Sequence, residues 1–153
     1  MKFKIAVGCD EAAYDMKEIV KALLVKLGHD VDDKGVYGRN PVLYPDIAVA
    51  VAREIASGRA ERGILMCGTG IGMAISANKV PGVRAAVCHD PFSTERSRKS
   101  NDAQIMCMGA RVIAPQLAEY LVDLWLKCEF SGGDSVAKVE KIKEYEKEFM
   151  IKS

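Results

Sequence analysis

The feature that constrains this chain most is a repeated change of hydrophobic period. Short β-branched or apolar runs at Lys2–Val7, His29–Asp33, Gly63–Cys67, Arg84–Cys88 and Ala103–Met108 alternate with longer segments of helical spacing. That alternation predicts an α/β fold, five parallel strands in a sheet covered by helices on both faces. The central three strands lack the polar alternation of a half-exposed sheet. Tyr14–Leu27 sets Ile19, Val20, Leu23, Leu24 and Leu27 on one stripe and stops at Gly28, a natural helix-ending residue. Pro45–Ser57, with Gly58 just beyond, turns Ile47, Val51 and Ile55 inward, and Ala114–Phe130 does the same with Leu117, Leu121, Leu124 and Trp125. After Gly132-Gly133 a charged final helix carries Val139, Ile142, Tyr145 and Phe149 as a thin apolar stripe, suited either to docking on a neighbour or to lying on its own domain.

At 153 residues the chain makes one domain, 1–153, with 133–153 as a helical tail. The 22 Lys+Arg and 21 Asp+Glu leave a net charge of +1, so no global field recruits nucleic acid or an anionic membrane, and any anion site is local. The longest charge-free run, Gly63–Asn78, carries four glycines and falls short of the ~20 residues a membrane span needs. Acidic residues at Asp10 and Glu11 interrupt any signal-peptide core, which points to the cytosol. The five cysteines lie at no C-x-x-C spacing and read as reduced thiols.

Ligands of open α/β sheets bind at the carboxyl ends of strands, so the residues after each strand are the place to look. Gly8-Cys9-Asp10-Glu11 follows the first strand, Cys67-Gly68-Thr69-Gly70-Ile71-Gly72 the third, and Cys88-His89-Asp90 the fourth. Alternate glycines before a helix bring backbone N–H groups up to an oxyanion or phosphate. The spacing is neither the dinucleotide fingerprint nor the Walker loop, which disfavours a nucleotide. Cys67 opens the loop, where amides and the helix dipole stabilise negative charge on its sulfur. Neither His29 nor His89 completes a catalytic triad with it, and two histidines without clustered carboxylates make no metal site. Lys34–Leu43 is the one long loop and a candidate border for a site.

Gly8-x-Asp10, Tyr44-Pro45-Asp46, the run Cys67–Met73, Ser76-Ala77-Asn78-Lys79-Val80-Pro81-Gly82-Val83-Arg84-Ala85, Asn101-Asp102-Ala103 and Gly109–Ile113 together resemble ribose-5-phosphate isomerase B and the related galactose-6-phosphate isomerase subunits, over nearly the whole chain. The resemblance implies a Rossmann-like three-layer sandwich, a homodimer or dimer of dimers with active sites shared between subunits, and cofactor-free, metal-free interconversion of aldose and ketose phosphates. It implies Cys67 as the base that moves a proton between C1 and C2, and the amides of Gly68, Gly70, Ile71 and Gly72 as stabilisers of the enediolate. Thr69 and Asp10 become proton shuttles on the sugar oxygens, Asn101 a contact to a sugar hydroxyl from the partner subunit, and Arg111 a phosphate ligand.

The departures from the family pattern bear on the substrate. Glu11 replaces a histidine, Ser100 replaces the histidine that opens a furanose ring, and the tail reads Gly133-Asp134-Ser135…Lys138 where arginines are usual. Asp134 and Glu11 place acid where cation stood, and Lys138 keeps one charge without Arg's fork. A five-membered aldose ring closes through O4. An aldotetrose 4-phosphate carries its phosphate there, cannot close that ring and needs no ring-opening acid. D-Erythrose 4-phosphate with D-erythrulose 4-phosphate, or ribose 5-phosphate with ribulose 5-phosphate, are the pairs expected. A sugar-phosphate sensor without turnover is the rival reading, and a phospho-acceptor receiver domain a distant third, because no aspartate precedes the glycines of the third strand.

Overall fold

The computed structural model describes residues 1–150, which form five strands, six α-helices and one 3₁₀ turn around a single sheet. In chain order the elements are β1 (Lys4–Cys9), a 3₁₀ turn (Glu11–Ala13), α1 (Tyr14–Lys26), β2 (Asp30–Asp33), α2 (Tyr44–Ala56), β3 (Arg62–Cys67) and α3 (Ile71–Ala77). They continue with β4 (Ala85–Val87), α4 (Pro91–Lys99), β5 (Ile105–Gly109), α5 (Pro115–Leu126) and α6 (Ser135–Phe149). All strand pairs are parallel, in the order β2-β1-β3-β5-β4. The expected five-stranded parallel sheet with helices on both faces is therefore present.

Two apolar layers sandwich the sheet because successive strand side chains point to opposite faces. Ile5, Val7, Ile64, Met66, Met106 and Met108 meet α1 and α5 through Met16, Val20, Leu24, Leu121 and Trp125. On the other face Ala6, Leu65, Cys67, Ile105 and Cys107 meet α2 and α3 through Val51, Ile55, Met73 and Ala77. The stripe on α1 is rotated from the expected one: Met16, Val20 and Leu24 are buried, Ile19 is half-buried and Leu27 exposed. The helix ends as expected at Gly28, whose φ of 91° suits a residue without Cβ.

The edges of the sheet are closed by different means. On one side β2 reads Asp30-Val31-Asp32-Asp33, a short acidic strand. On the other, the run expected at Arg84–Cys88 contracts to three half-buried residues, and the Asn78 side chain pairs with both backbone groups of Ala85, each at 2.9 Å. α4 has no counterpart in the hydrophobic pattern. Its sequence is polar, and its marks are Asp90, whose carboxylate accepts from the Ser93 N–H at 2.7 Å, and Pro91 in the first turn. The thin stripe of α6 is seated only at Val139; Ile142, Tyr145 and Phe149 remain largely exposed.

β1 and β3 send their following helices to opposite faces, α1 to one and α3 to the other. A crevice opens where the two chains diverge, at the carboxyl ends of these neighbouring strands. The long loop Lys34–Leu43 is fixed beside it by Lys17, a wholly buried lysine of α1 whose ammonium meets Asp33 at 2.8 and 2.9 Å and donates to the Val36 carbonyl. Burial pushes the Asp33 carboxyl up, but Lys17, the Gly35 N–H and Lys21 prevail and hold it below the usual range. Removing one partner of such a pair strands the other charge without solvent. Asp33→Ala is therefore expected to lower unfolding free energy by about 3–5 kcal/mol in urea melts.

Candidate active site

Cys67 is the last residue of β3, and its sulfur turns into the α2–α3 face. It is only 5% exposed, a buried thiol at the floor of the crevice. The Gly70 N–H donates to its Sγ at 3.1 Å, and the Ile71 N–H donates to Thr69 Oγ1 at 3.2 Å. Two of the amides expected to face a ligand are thus committed inside the loop, one of them to the sulfur itself.

The glycines of this loop are required by space. Gly70 has φ 78°, and a Cβ there would stand 2.9–3.1 Å from the Met108 backbone. A Cβ at Gly72 would lie 2.4 Å from the Tyr44 ring, so Tyr44 of α2 packs on the first turn of α3. At Gly109 the conflict is with backbone again: Thr69 Cα at 2.6 Å and the Gly68 carbonyl oxygen at 2.8 Å. The turn after β3 rests directly on the end of β5, closer than any side chain permits.

Around this floor stand the other candidates from the carboxyl ends. Asp10 follows β1, with its Oδ1 accepting from the Ala12 N–H at 3.0 Å. Burial, then the neighbouring Glu11 carboxylate, raise its pKa, while the amides of Ala12 and Ala13 and the Arg111 charge act in the opposite sense. The Arg111 side chain lies over Gly68, within 3.3–3.7 Å of a Cβ built there, and its backbone N–H donates to the Gly68 carbonyl at 3.0 Å. Glu11 is tied to the long loop, its Oε2 accepting from the Val42 N–H at 3.2 Å. A cavity of about 470 Å³ beside that loop is lined by Val36, Tyr37, Val42 and Ile47.

Ser100, Asn101 and Lys138 are elsewhere. Ser100 and Asn101 precede β5 and lie at the amino end of the sheet, while Cys67 lies at the carboxyl end; β5 alone separates the two by about 16 Å at ~3.3 Å per residue. Ser100 Oγ accepts from Arg96 Nε at 2.8 Å, and Asn101 accepts from Arg84 Nε through its carbonyl at 3.2 Å. Asp102, in the left-handed region at φ 48°, is clamped by Arg98 at 3.0 Å and Arg84 at 3.4 Å. Lys138 is exposed near the start of α6, a helix tied to this same end by Glu146, whose carboxylate accepts from the Gly82 N–H. One chain therefore assembles Asp10, Glu11, Cys67–Gly72 and Arg111, and holds Ser100, Asn101 and Lys138 at its opposite end.

Two residues at the site escaped the sequence reading. Tyr44 was legible only as part of Tyr44-Pro45-Asp46. His89 failed as a triad member, yet its Nε2 accepts the Gly109 N–H at 2.8 Å. Among the described residues no group of three or more His, Cys, Asp and Glu is placed to hold a metal ion.

The profile of the family described as Ribose/Galactose Isomerase matches residues 5–142. A ribose-5-P isomerase B of Listeria innocua is 53% identical over 141 residues, 92% of this chain and 95% of that protein. A D-erythrulose-4-phosphate isomerase of Pectobacterium atrosepticum is 52% identical over 144 residues, 93% of this chain and 94% of its own length. The solved structure of Clostridium thermocellum ribose-5-phosphate isomerase B superposes with a TM-score of 0.95 at 46% identity, covering 96% of this chain and 99% of that one.

Because Asp10 has a raised pKa, the folded state holds its proton more tightly than the unfolded chain does, and ionisation costs stability once the pH passes the ordinary carboxylate range. Asp10→Asn keeps the acceptor for Ala12 and removes the charge. It is expected to raise the melting temperature at pH 7, with the gain shrinking as the pH falls toward the carboxylate range, where wild-type Asp10 is itself neutral; a Tm series against pH checks this.

Proposed function

The chain belongs to the ribose/galactose isomerase family and is a sugar-phosphate isomerase; on that premise we propose that Cys67 carries the proton between C1 and C2 through an enediolate. The observation that carries the reading is the Cys67 sulfur set at the crevice floor, with the Gly70 N–H aimed at it and the Arg111 side chain over the adjacent Gly68. The thiolate takes the C2 proton of the open-chain aldose, and the C2–H electrons form the C1–C2 double bond as the carbonyl π pair moves to O1. The thiol then returns the proton to C1 as the ketose carbonyl forms at C2. Amides of Gly68, Thr69 and Gly72 face the developing oxyanion, where fixed dipoles act without reorganisation. Thr69 and Asp10 move protons between the sugar oxygens.

Two further parts of the reading follow from where residues lie. Ser100, Asn101 and Lys138 reach a Cys67 site only if a second copy presents its amino end, so the enzyme is a homodimer or a dimer of dimers with composite sites. The exposed apolar side chains of Leu43, Ile71, Ile75 and Phe92 beside the crevice support a covering partner. The five free cysteines support a cytosolic setting.

The substrate pair is the four-carbon one, D-erythrose 4-phosphate and D-erythrulose 4-phosphate. Ser100 stands where the family has its ring-opening histidine, and a hydroxyl, here accepting from Arg96, is a far weaker acid at neutral pH than an imidazolium. Glu11 adds a carboxylate where a longer substrate's phosphate would need cations.

Cys67→Ala is expected to lower kcat for aldose–ketose conversion by ~10²–10⁴-fold with the fold intact, measured by coupled ketose formation beside circular dichroism. An unchanged rate in that variant removes the thiol from the mechanism, and a wild type inert toward every aldose phosphate points to the sensor. In a panel of four-, five- and six-carbon aldose phosphates, kcat/KM is expected to be highest for erythrose 4-phosphate; a higher value for ribose 5-phosphate assigns the pentose pair instead.

A further inference from the structure

We propose that His89 is a positioning residue for the isomerase site: its imidazole holds the Gly109 amide and, through Gly109, the seat shared by the Gly68–Thr69 turn and Arg111. The proposal rests on the reading of the Cys67 loop given above.

Along β5, alternate residues turn their amides toward β3 and toward β4. The Ile105 N–H reaches the Arg84 carbonyl on the β4 side, and the Ala110 N–H reaches the Cys67 carbonyl on the β3 side at 2.8 Å. Gly109 faces the β4 side, where the strand has already ended at Val87 and the chain is leaving toward α4. Among the described residues no main-chain carbonyl takes its N–H. His89 supplies a ring nitrogen instead, at 2.8 Å. A ring nitrogen that accepts an N–H carries no proton, so the imidazole is neutral with its hydrogen on Nδ1. Partial burial, which lowers the pKa of this histidine, favours the same form against the opposing pull of Asp90. Asp90 meanwhile caps α4 through Ser93 and fixes the segment that presents the ring.

What rests on Gly109 gives this bond its reach. The Gly68–Thr69 backbone packs on the face that a Cβ would occupy. The Gly109 carbonyl accepts from the Val112 and Ile113 N–H groups at 3.0 and 3.1 Å, closing the turn that carries Arg111, and the Arg111 N–H returns to the Gly68 carbonyl. The catalytic turn and the cation beside it therefore share one support, and the outer side of that support is held by His89. Loss of the acceptor leaves an unpaired amide at the sheet end and frees the turn to shift, which acts on groups that matter most in the transition state.

The test compares wild type with His89→Ala and His89→Gln; the Gln Oε1 lies near the place of Nε2, accepts an N–H and does not titrate. Steady-state kinetics on the best aldose phosphate and amide hydrogen exchange without substrate, over peptides covering 67–72 and 109–113, are read in parallel. For His89→Ala, kcat is expected to fall about 10- to 100-fold while KM moves by less than about three-fold, and both peptides are expected to exchange faster. His89→Gln is expected to restore kcat to within about three-fold of wild type and to restore the protection. Wild-type kcat and exchange in His89→Ala overturn the proposal, as does His89→Gln behaving no better than His89→Ala. Because the exchange is read without turnover, it is independent of the thiol mechanism: a fully active Cys67→Ala would refute that mechanism and leave the hold on Gly109 separately measured.

Discussion

Contact of backbone upon backbone, where the turn after β3 lies on the last residue of β5, is the constraint on which the site depends. Thr69 and Gly68 approach Gly109 at distances that forbid a Cβ, and Gly70 approaches Met108 in the same way. Such contacts cannot relax by rotating a side chain, so the loop has one position set by the sheet. Everything chemical at the crevice inherits that position: the Cys67 sulfur with its amide, the Thr69 hydroxyl and the Arg111 side chain. Preorganisation here comes from missing side chains as much as from those present.

The crevice joins a fixed floor to an adjustable rim. The floor is built by glycines and a cysteine, whereas the rim is built by side chains that can be exchanged. Glu11 is bound to the Val42 amide and so belongs to the wall formed by the long loop. Lys17 and Asp33 hold that loop from inside the protein, well away from any ligand. The polarity of the rim is thus adjustable, while the loop's attachment rests on a buried pair that tolerates little change.

Much of the fold was legible in the sequence because hydrophobic period reports directly which face of an element is buried. The strand ends were less so: β1 runs to Cys9 rather than Val7 because Cys9 finds Met66 across the sheet, a pairing that residue type does not announce. α4 was invisible to periodicity, since Ser97, Thr94 and Arg98 are its buried residues, and only Asp90-Pro91 marked its start. Of the site, Cys67 and its glycines were legible from motif and place. The commitment of the Gly70 and Ile71 amides was not, because it depends on the path of the loop backbone, nor was the role of His89, because it joins two segments far apart in the chain. The resemblance named Ser100, Asn101 and Lys138 without saying at which end of the sheet they stand.

The two borders of the sheet bear on how copies of this chain meet. Strands that end a sheet offer a row of unpaired main-chain groups to any passing strand. Here Asp30, Asp32 and Asp33 surround one border with carboxylates, and the Asn78 amide occupies the other like a stopper. Growth of a continuous sheet from molecule to molecule is therefore blocked in both directions. Any contact between two copies is left to helices and loops.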